Sequence, residues 1–372
     1  MTTRILHTAD LHLADDRPER WEALEALIRL ARDREVDALL IAGDLLDRGG
    51  DHAALRSRLR ETLEELSVPT LILPGNHDRE AYAAGQDWGR RTRMLIRPPV
   101  QSTGVGDLRV VGVPFPEEPA SFRSVRRAVE RELDDDGPAI LALHGTLIDA
   151  DAPHIQDESQ EDEPGDYFPV RTGELRGLGA RYVALGHYHQ HDLRRAGRTP
   201  VAYAGSPTPV GSHAWGRRSA VLVEISAGAG GGGEARVQRL ELPVPYRDRI
   251  EQWLTPFRED EGLEALEGAL ERKSDETCDM RVVVDGILAD LPEDELRDRL
   301  DGLRSRFEGD YRELEFRRRS VGLDAERAEL FRQFRERLEE RARAGEEGEA
   351  SAVEPDVRER ALELGARALK AG

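Results

Sequence analysis

Asp10-Leu11-His12 sets a carboxylate and an imidazole two positions apart, directly after an apolar run. Side chains two apart at a strand end point to the same side, so both can converge on one cation. Alone the pair is a weak signal. Four further blocks strengthen it. Gly43-Asp44-Leu45-Leu46-Asp47-Arg48-Gly49 follows a second apolar run and Pro74-Gly75-Asn76-His77-Asp78 a third; His144-Gly145 and Gly186-His187-Tyr188-His189 follow two later ones. Asp, Asn and His together suit a borderline divalent cation such as manganese, iron or zinc. Asp10, His12, Asp44, Asn76, His144, His187 and His189 are too many ligands for one catalytic cation with open positions. They suit two cations about 3.5–4 Å apart that share one carboxylate. Asp44, delivered by a central strand, is the natural bridge.

These blocks need strands to carry them. Apolar runs at residues 3–8, 36–42, 68–73, 108–113, 138–144, 181–186, 199–204 and 219–225 read as strands. Amphipathic stretches lie between several of them. Residues 18–32 place Trp21, Leu24, Leu27, Ile28 and Ala31 on one face, with Pro18 suited to a first helical turn. Residues 51–66 repeat the pattern with Leu55, Leu59, Leu63 and Leu66. Strand and helix in alternation predict a layered α/β domain. In a parallel sheet the C-terminal strand ends share one edge, where α/β proteins bind ligands. Helices thin out toward residue 243, so the sheet is expected to be mixed.

Other groups read differently. His7, inside the first strand, belongs to the core or the sheet surface. His191 and His213 lie beside the site or on the surface, His52 and His154 face solvent, and Cys278 is buried and inert. Residues 149–166 hold eight acidic residues and no Lys or Arg, which reads as a solvated loop. Residues 228–233, Gly-Ala-Gly-Gly-Gly-Gly, read as a hairpin tip; a phosphate-cradling loop would need a Lys and a following helix.

After Leu-Pro-Val-Pro at 242–245 the pattern changes. Residues 246–320 read helix, strand, helix, strand, with strands at Met280–Leu288 and Tyr311–Arg317 and a helix over Pro292–Phe307. Residues 323–340 and 354–370 read as two charged amphipathic helices. A chain of 372 residues holds about two to three domains at roughly 150 residues each. The boundaries expected are 1–243, 244–320 and 321–372.

Composition bounds the function. Lys+Arg number 54 against 74 Asp+Glu, a net charge of -20. Only two of those basic residues are Lys (Lys273 and Lys370), which fits GC-rich coding or a salt-rich habitat. The acidic total argues mildly against a nucleic-acid partner, because phosphate contacts supply much of that affinity. Bound cations or local Arg clusters can reverse it at one site. No run approaches the ~18 apolar residues of a membrane span, and no signal-peptide core follows Met1, so a cytoplasmic protein is expected. A single cysteine excludes a disulfide framework and a Cys-rich zinc site.

The ordered blocks Asp10-x-His12, Gly43-Asp44-x-x-Asp47, Gly75-Asn76-His77-Asp78, His144-Gly145 and Gly186-His187-x-His189 resemble the calcineurin-like metallophosphoesterase superfamily. The start Ile5–Leu13 and the block Tyr203-Ala204-Gly205-Ser206-Pro207 are similar to its DNA-repair nuclease branch, which includes SbcD and its archaeal and eukaryotic counterparts. The resemblance implies an α/β/β/α sandwich with a small α+β capping domain that recognises DNA and C-terminal helices. It implies one cation held by Asp10, His12, Asp44 and His189, and another by Asp44, Asn76, His144 and His187, with manganese the expected metal. The cations would polarise the phosphate and activate a water. His77 would protonate the leaving oxygen and Asp47 would orient His77; Arg48 fits a phosphate contact or a surface salt bridge. It further implies a DNA exonuclease/endonuclease for double-strand breaks or hairpins, a homodimer, and an SbcC-like SMC-type coiled-coil ATPase docked on residues 321–372. The alternative is a stand-alone phosphatase or phosphodiesterase acting on small phosphoesters.

Overall fold

The computed structural model describes residues 2–47, 52–82, 86–134, 137–149, 167–211, 214–226, 234–319, 321–346 and 355–371. Arg48, His154, His213, residues 228–233 and most of 149–166 lie outside the described residues. Two compact units divide the chain at Tyr246/Arg247.

The first unit opens β1 (Thr2–Thr8), α1 (Pro18–Asp33), β2 (Ala38–Ala42), α2 (His52–Glu64), β3 (Thr70–Leu73) and β4 (Thr92–Met94). It continues β5 (Gln101–Val105), β6 (Leu108–Val113), α3 (Phe122–Leu133), β7 (Ala139–His144), β8 (Thr146–Leu147), β9 (Pro169–Val170) and α4 (Thr172–Leu175). It ends β10 (Tyr182–Gly186), β11 (Asp192–Ala196), β12 (Thr199–Tyr203), β13 (Ser219–Ser226) and β14 (Ala235–Glu241). The strands form two six-stranded sheets, ordered β14-β13-β1-β2-β3-β4 and β11-β12-β10-β7-β6-β5. Strands β1 to β4 run parallel, as do β12, β10, β7 and β6; β13, β11 and β5 are antiparallel to their neighbours.

Period-two alternation places the apolar side chains on both faces of each sheet. Ile5, Leu40, Leu71, Ile140, Tyr182 and Ala184 share one cluster between the sheets. Leu6, Leu39, Ile41 and Ile72 face outward, where Trp21, Leu24, Leu27 and Leu59 of α1 and α2 cover them. Phe122 and Val129 of α3 cover Leu141, Leu143, Val183 and Leu185 of the second sheet. The layers are therefore helix, sheet, sheet, helix. The single parallel edge expected from the strand ends is a pair of edges, one from each sheet.

The second unit contains β15 (Tyr246–Leu254, from the boundary on), α5 (Glu259–Lys273), β16 (Asp275–Leu288), α6 (Glu293–Phe307), β17 (Tyr311–Arg318), β18 (Gly322–Leu323), α7 (Ala325–Glu346) and α8 (Pro355–Ala371). Its sheet runs β15-β16-β17 with β18 on β16. Residues 246–254, expected as the start of a helix, are a strand: Tyr246, Ile250 and Leu254 are buried between polar neighbours, a spacing that suits a sheet edge. The tail helices seat Phe331, Leu362 and Ala366 against Trp253 and Phe257 of the same unit. Leu330, Phe334, Val357 and Leu364 remain exposed. Among the described residues no helix is long and apolar enough to cross a membrane.

His7 sits between the two sheets, fully buried, with Nδ1 2.8 Å from the Tyr182 hydroxyl. Burial, reinforced by His191, pushes its imidazole down to about 3. An unfolded histidine titrates near 6.5. Between those values the unfolded chain binds a proton that the folded chain does not. Stability from this group is therefore full above pH 6.5 and is lost as pH falls toward 3, by about 1.4 kcal/mol per pH unit. His7→Gln should flatten the pH dependence of urea unfolding between pH 4.5 and 6.5 by that slope; equal slopes in both proteins would refute the assignment.

Candidate metal centre

The loops after β1 and β2 continue the pairing of their strands. Asp10 N–H donates to the Gly43 carbonyl (3.1 Å), His12 N–H to Asp44 (2.9 Å) and Leu13 N–H to Leu45 (2.8 Å). This ladder holds Asp10 and His12 alongside Asp44. It also holds them strained. Asp10 (φ 57), His12 (φ 48), Asp44 (φ 50) and His187 (φ 100) are four of the six non-glycine residues with positive φ among the described residues. Such a conformation costs on the order of 1–3 kcal/mol per residue and persists where surrounding structure imposes it.

The strand ends bring the seven expected ligands into one cluster. Asp10, His12, Asp44, Asn76 and His144 are buried; His187 and His189 are half-buried. Ligand atoms of Asp10, His12 and His189 lie within 4.8 Å of one another, as do those of Asp10, Asp44 and His144, and those of His12, Asp44 and His77. The Asp44 Oδ1 accepts the His77 N–H at 2.9 Å. This leaves Oδ2 facing His144 Nε2 at 3.3 Å and His12 Nε2 at 3.8 Å. His144 Nδ1 lies 3.0 Å from the Ala42 carbonyl, to which it donates; Nε2 then points at Asn76 Oδ1, 2.9 Å away. The same Asn76 oxygen is 3.3 Å from His187 Nδ1. Across the cluster His12 Nε2 and His189 Nε2 face each other at 3.3 Å. Asp10 accepts the His187 N–H at 2.9 Å.

Glycines let these parts approach. A Cβ on Gly75 would stand 2.0 Å from Asp44 Oδ1, and one on Gly186 would stand 1.9 Å from the Ala42 carbonyl.

The electrostatics are those of acceptors and carboxylates crowded without enough protons. Burial pushes the Asp10 carboxyl up to about 6, with His144 drawing it down and Asp44 raising it further. His144 goes the other way: burial lowers it, yet Asp44 and Asp10 lift it to about 9. Against its burial, Asp44 is drawn well below the carboxylate range by His144, His12 and His77. The cluster therefore prefers positive charge at its centre. Two buried carboxylates, an amide oxygen and imidazole nitrogens fit divalent cations. His144, its other nitrogen fixed by a backbone carbonyl, has the tautomer a ligand requires.

His77 is expected to donate a proton and Asp47 to orient it. His77 Nδ1 is 3.7 Å from Asp47 Oδ1, and its ring meets His12 edge-on at 4.7 Å. Asp47 Oδ1 is equally near His12 Nδ1, at 3.6 Å. Its other oxygen is bound by Arg20 at 2.7 Å. Asp47 thus stands between two imidazoles and an arginine rather than belonging to His77 alone. Against its partial burial, His12, His77 and Arg20 hold its carboxyl far below the ordinary range. His52 is half-buried, with Nε2 3.0 Å from the Asp47 carbonyl, and not turned to solvent as expected. His191 also meets a backbone carbonyl, with Nδ1 3.0 Å from that of Tyr203.

Several supports escape sequence reasoning. Arg20 carries no local mark of its role and looks like any basic residue of a helix. Ser206 donates its hydroxyl to the Asp10 carbonyl at 2.7 Å, and its N–H to the His189 carbonyl at 3.0 Å. Tyr203 donates to the Gly145 carbonyl at 2.8 Å. The Tyr203–Pro207 block signals these contacts without showing their use.

The sequence family described as Calcineurin-like phosphoesterase matches residues 3–191. The chain is 29% identical over 230 residues to the DNA double-strand break repair protein Mre11 of Aeropyrum pernix, covering 56% of this chain and 54% of that protein. It is 27% identical over 265 residues to the SbcD component of the nuclease SbcCD from Bacillus subtilis, covering 60% of this chain and 67% of that protein. For the SbcD component of Escherichia coli K12 the figures are 24% over 294 residues, 65% and 68%. The chain thus spans from about half to two thirds of the length of these relatives. With the matched segment carrying all seven clustered donors, the chain belongs to the calcineurin-like phosphoesterase family.

Proposed function

We propose that this chain is a manganese-dependent nuclease that hydrolyses DNA phosphodiesters and works with an SMC-type coiled-coil ATPase. The buried carboxylate–imidazole cluster carries the reading; the relatives' names direct it to DNA. Asp10, His12, Asp44 and His189 would hold one cation, and Asp44, Asn76, His144 and His187 the other. When bound, the pair supplies Lewis-acid polarisation of the phosphoryl oxygens and activation of water. The chain's own residues do the rest. Ala42 and Asp44 fix the His144 ring, and the His77 N–H fixes one Asp44 oxygen so that the other faces both groups of ligands. His77, partly exposed beside the cluster, would give a proton to the leaving oxygen. Asp47, held by Arg20, would orient that imidazole.

The ATPase would dock on the tail helices. Their buried stripe is already used within the second unit, so the exposed Leu330, Phe334, Val357 and Leu364 are the face left to a partner.

Labelled duplex and hairpin DNA should be cut with manganese and left intact with EDTA. Turnover of bis(p-nitrophenyl) phosphate with no cleavage of either DNA would replace the nuclease with a small-phosphoester hydrolase. His77→Ala should keep its manganese, by elemental analysis, and lose about 10²–10⁴-fold in rate; depleted manganese would contradict the separation of roles. Asp44→Ala should bind neither cation stoichiometrically, and full loading would remove it as the bridge. Val357→Asp with Leu364→Asp should abolish co-purification of the ATPase at an unchanged melting temperature; retained co-purification would clear that face.

A further inference from the structure

Outside the ligand set, one buried carboxylate joins the two loops that carry Asp44, Asn76 and His77. Asp78 is fully buried. Its Oδ2 accepts the N–H groups of Leu45 (2.8 Å) and Leu46 (3.2 Å) and the hydroxyl of Tyr82 (2.6 Å). Its Oδ1 accepts the Gly75 N–H at 2.8 Å. All four partners are neutral donors, so the charge is satisfied by hydrogen bonds alone.

We propose that Asp78 and Tyr82 are positioning residues: the carboxylate, oriented by the Tyr82 hydroxyl, locks the Asp44 loop to the Asn76–His77 loop so that both present their donors to the same cations. The proposal rests on the two-cation reading above.

Three features of the geometry support the lock. First, the Asp44 backbone is left-handed, at φ 50, and the two amides that follow it are the ones Asp78 receives. The lock sits where the strained turn would otherwise relax. Second, the connection is reciprocal. Asp78 on the second loop binds amides of the first, and Asp44 on the first binds the His77 amide of the second. Third, Tyr82 is itself fixed, its ring edge-on to buried Trp88 at 5.1 Å. Burial together with Asp78 pushes the Tyr82 phenol well above its ordinary value, so the hydroxyl stays a donor. Neither residue touches the reacting atoms; both act through Asp44, Asn76 and His77.

Tyr82→Phe deletes one hydroxyl and keeps the ring. Tyr182→Phe is the matched control: Tyr182 is also buried and hydrogen-bonded, to His7, but joins no loop of the site. Metal-free wild type and both variants are titrated with manganese chloride by calorimetry. Exchange of the Leu45 and Leu46 amides is followed by NMR without metal, and melting temperatures are compared. Supporting residues of this kind change metal affinity about 10–100-fold. Tyr82→Phe should bind manganese about tenfold or more weakly and exchange those two amides faster. Tyr182→Phe should lose a similar amount of thermal stability with affinity and exchange unchanged. Wild-type affinity in Tyr82→Phe, wild-type exchange rates, or equal weakening in Tyr182→Phe would each overturn the lock. A wild-type protein that takes up no manganese sinks the two-cation reading instead, and the exchange rates still decide whether the loops are locked.

Discussion

Asp10 and Asp44 are both out of water, and with His144 their ligand atoms lie within 4.8 Å of one another. Two like charges that close in a poorly hydrated place cannot both be comfortable. The conflict shows in their opposite responses: Asp10 is pushed toward protonation while Asp44 is held ionised by His144, His12 and His77. Only positive charge in the middle relieves it. A proton on His144 does so partially. A divalent cation held by these residues would supply more positive charge there and leave the imidazole nitrogen available as a ligand. The rest of the first unit can be understood as the apparatus that keeps these groups from moving apart.

That apparatus is mostly backbone. Two sheets stacked face to face place the ends of β1, β2 and β3 opposite those of β7 and β10. Beyond the strand ends, amides of Asp10, His12 and Leu13 bind carbonyls of the next loop. The strain at Asp10, His12 and Asp44 is sustained because their two loops are anchored by apolar neighbours: Leu11, Leu13, Leu45 and Leu46 are all fully buried. The polar residues of Asp10-Leu11-His12 and Asp44-Leu45-Leu46-Asp47 therefore depend on the leucines between them. Side chains alternate between core and site, and removing either set would free the other.

This alternation is why so much of the site is legible in the sequence. Of the strands that deliver ligands, β2, β3, β7 and β10 are nearly continuous apolar runs, and Asp, Asn or His stands at or within three residues of each strand end. Covalent proximity carries that information. What depends on distant contacts is not legible. Arg20 meets Asp47 across 27 positions of chain, and Ser206 meets Asp10 across 196. The division into two sheets follows from which strands pair, and β10 lies beside β7 and β12 rather than beside β3. His52, expected to face solvent, turns its ring back onto the Asp47 carbonyl, a contact five positions back that its neighbours do not signal. Residues 246–254 resemble a helix because Tyr246, Ile250 and Leu254 are spaced four apart, a spacing that a helix and a strand can share when intervening residues are polar.

Charge sets the last constraint. A net of -20 repels a polyanion, because 74 Asp and Glu outnumber 54 Lys and Arg over the whole chain. Phosphate recognition must then be concentrated where positive charge is fixed. In the proposed site a pair of divalent cations would outweigh the charge of Asp10 and Asp44, and Arg20 already balances Asp47. The field of such a cation pair would fall on whatever phosphate enters the site, while the acidic exterior is screened within roughly 8–10 Å at physiological salt. A surface of this composition favours binding centred on the bond to be cut over adhesion along the whole backbone. For the proposed nuclease, weak nonspecific attraction and strong local attraction would be compatible demands. The acidic composition is thus no obstacle to a DNA substrate once the cations are in place.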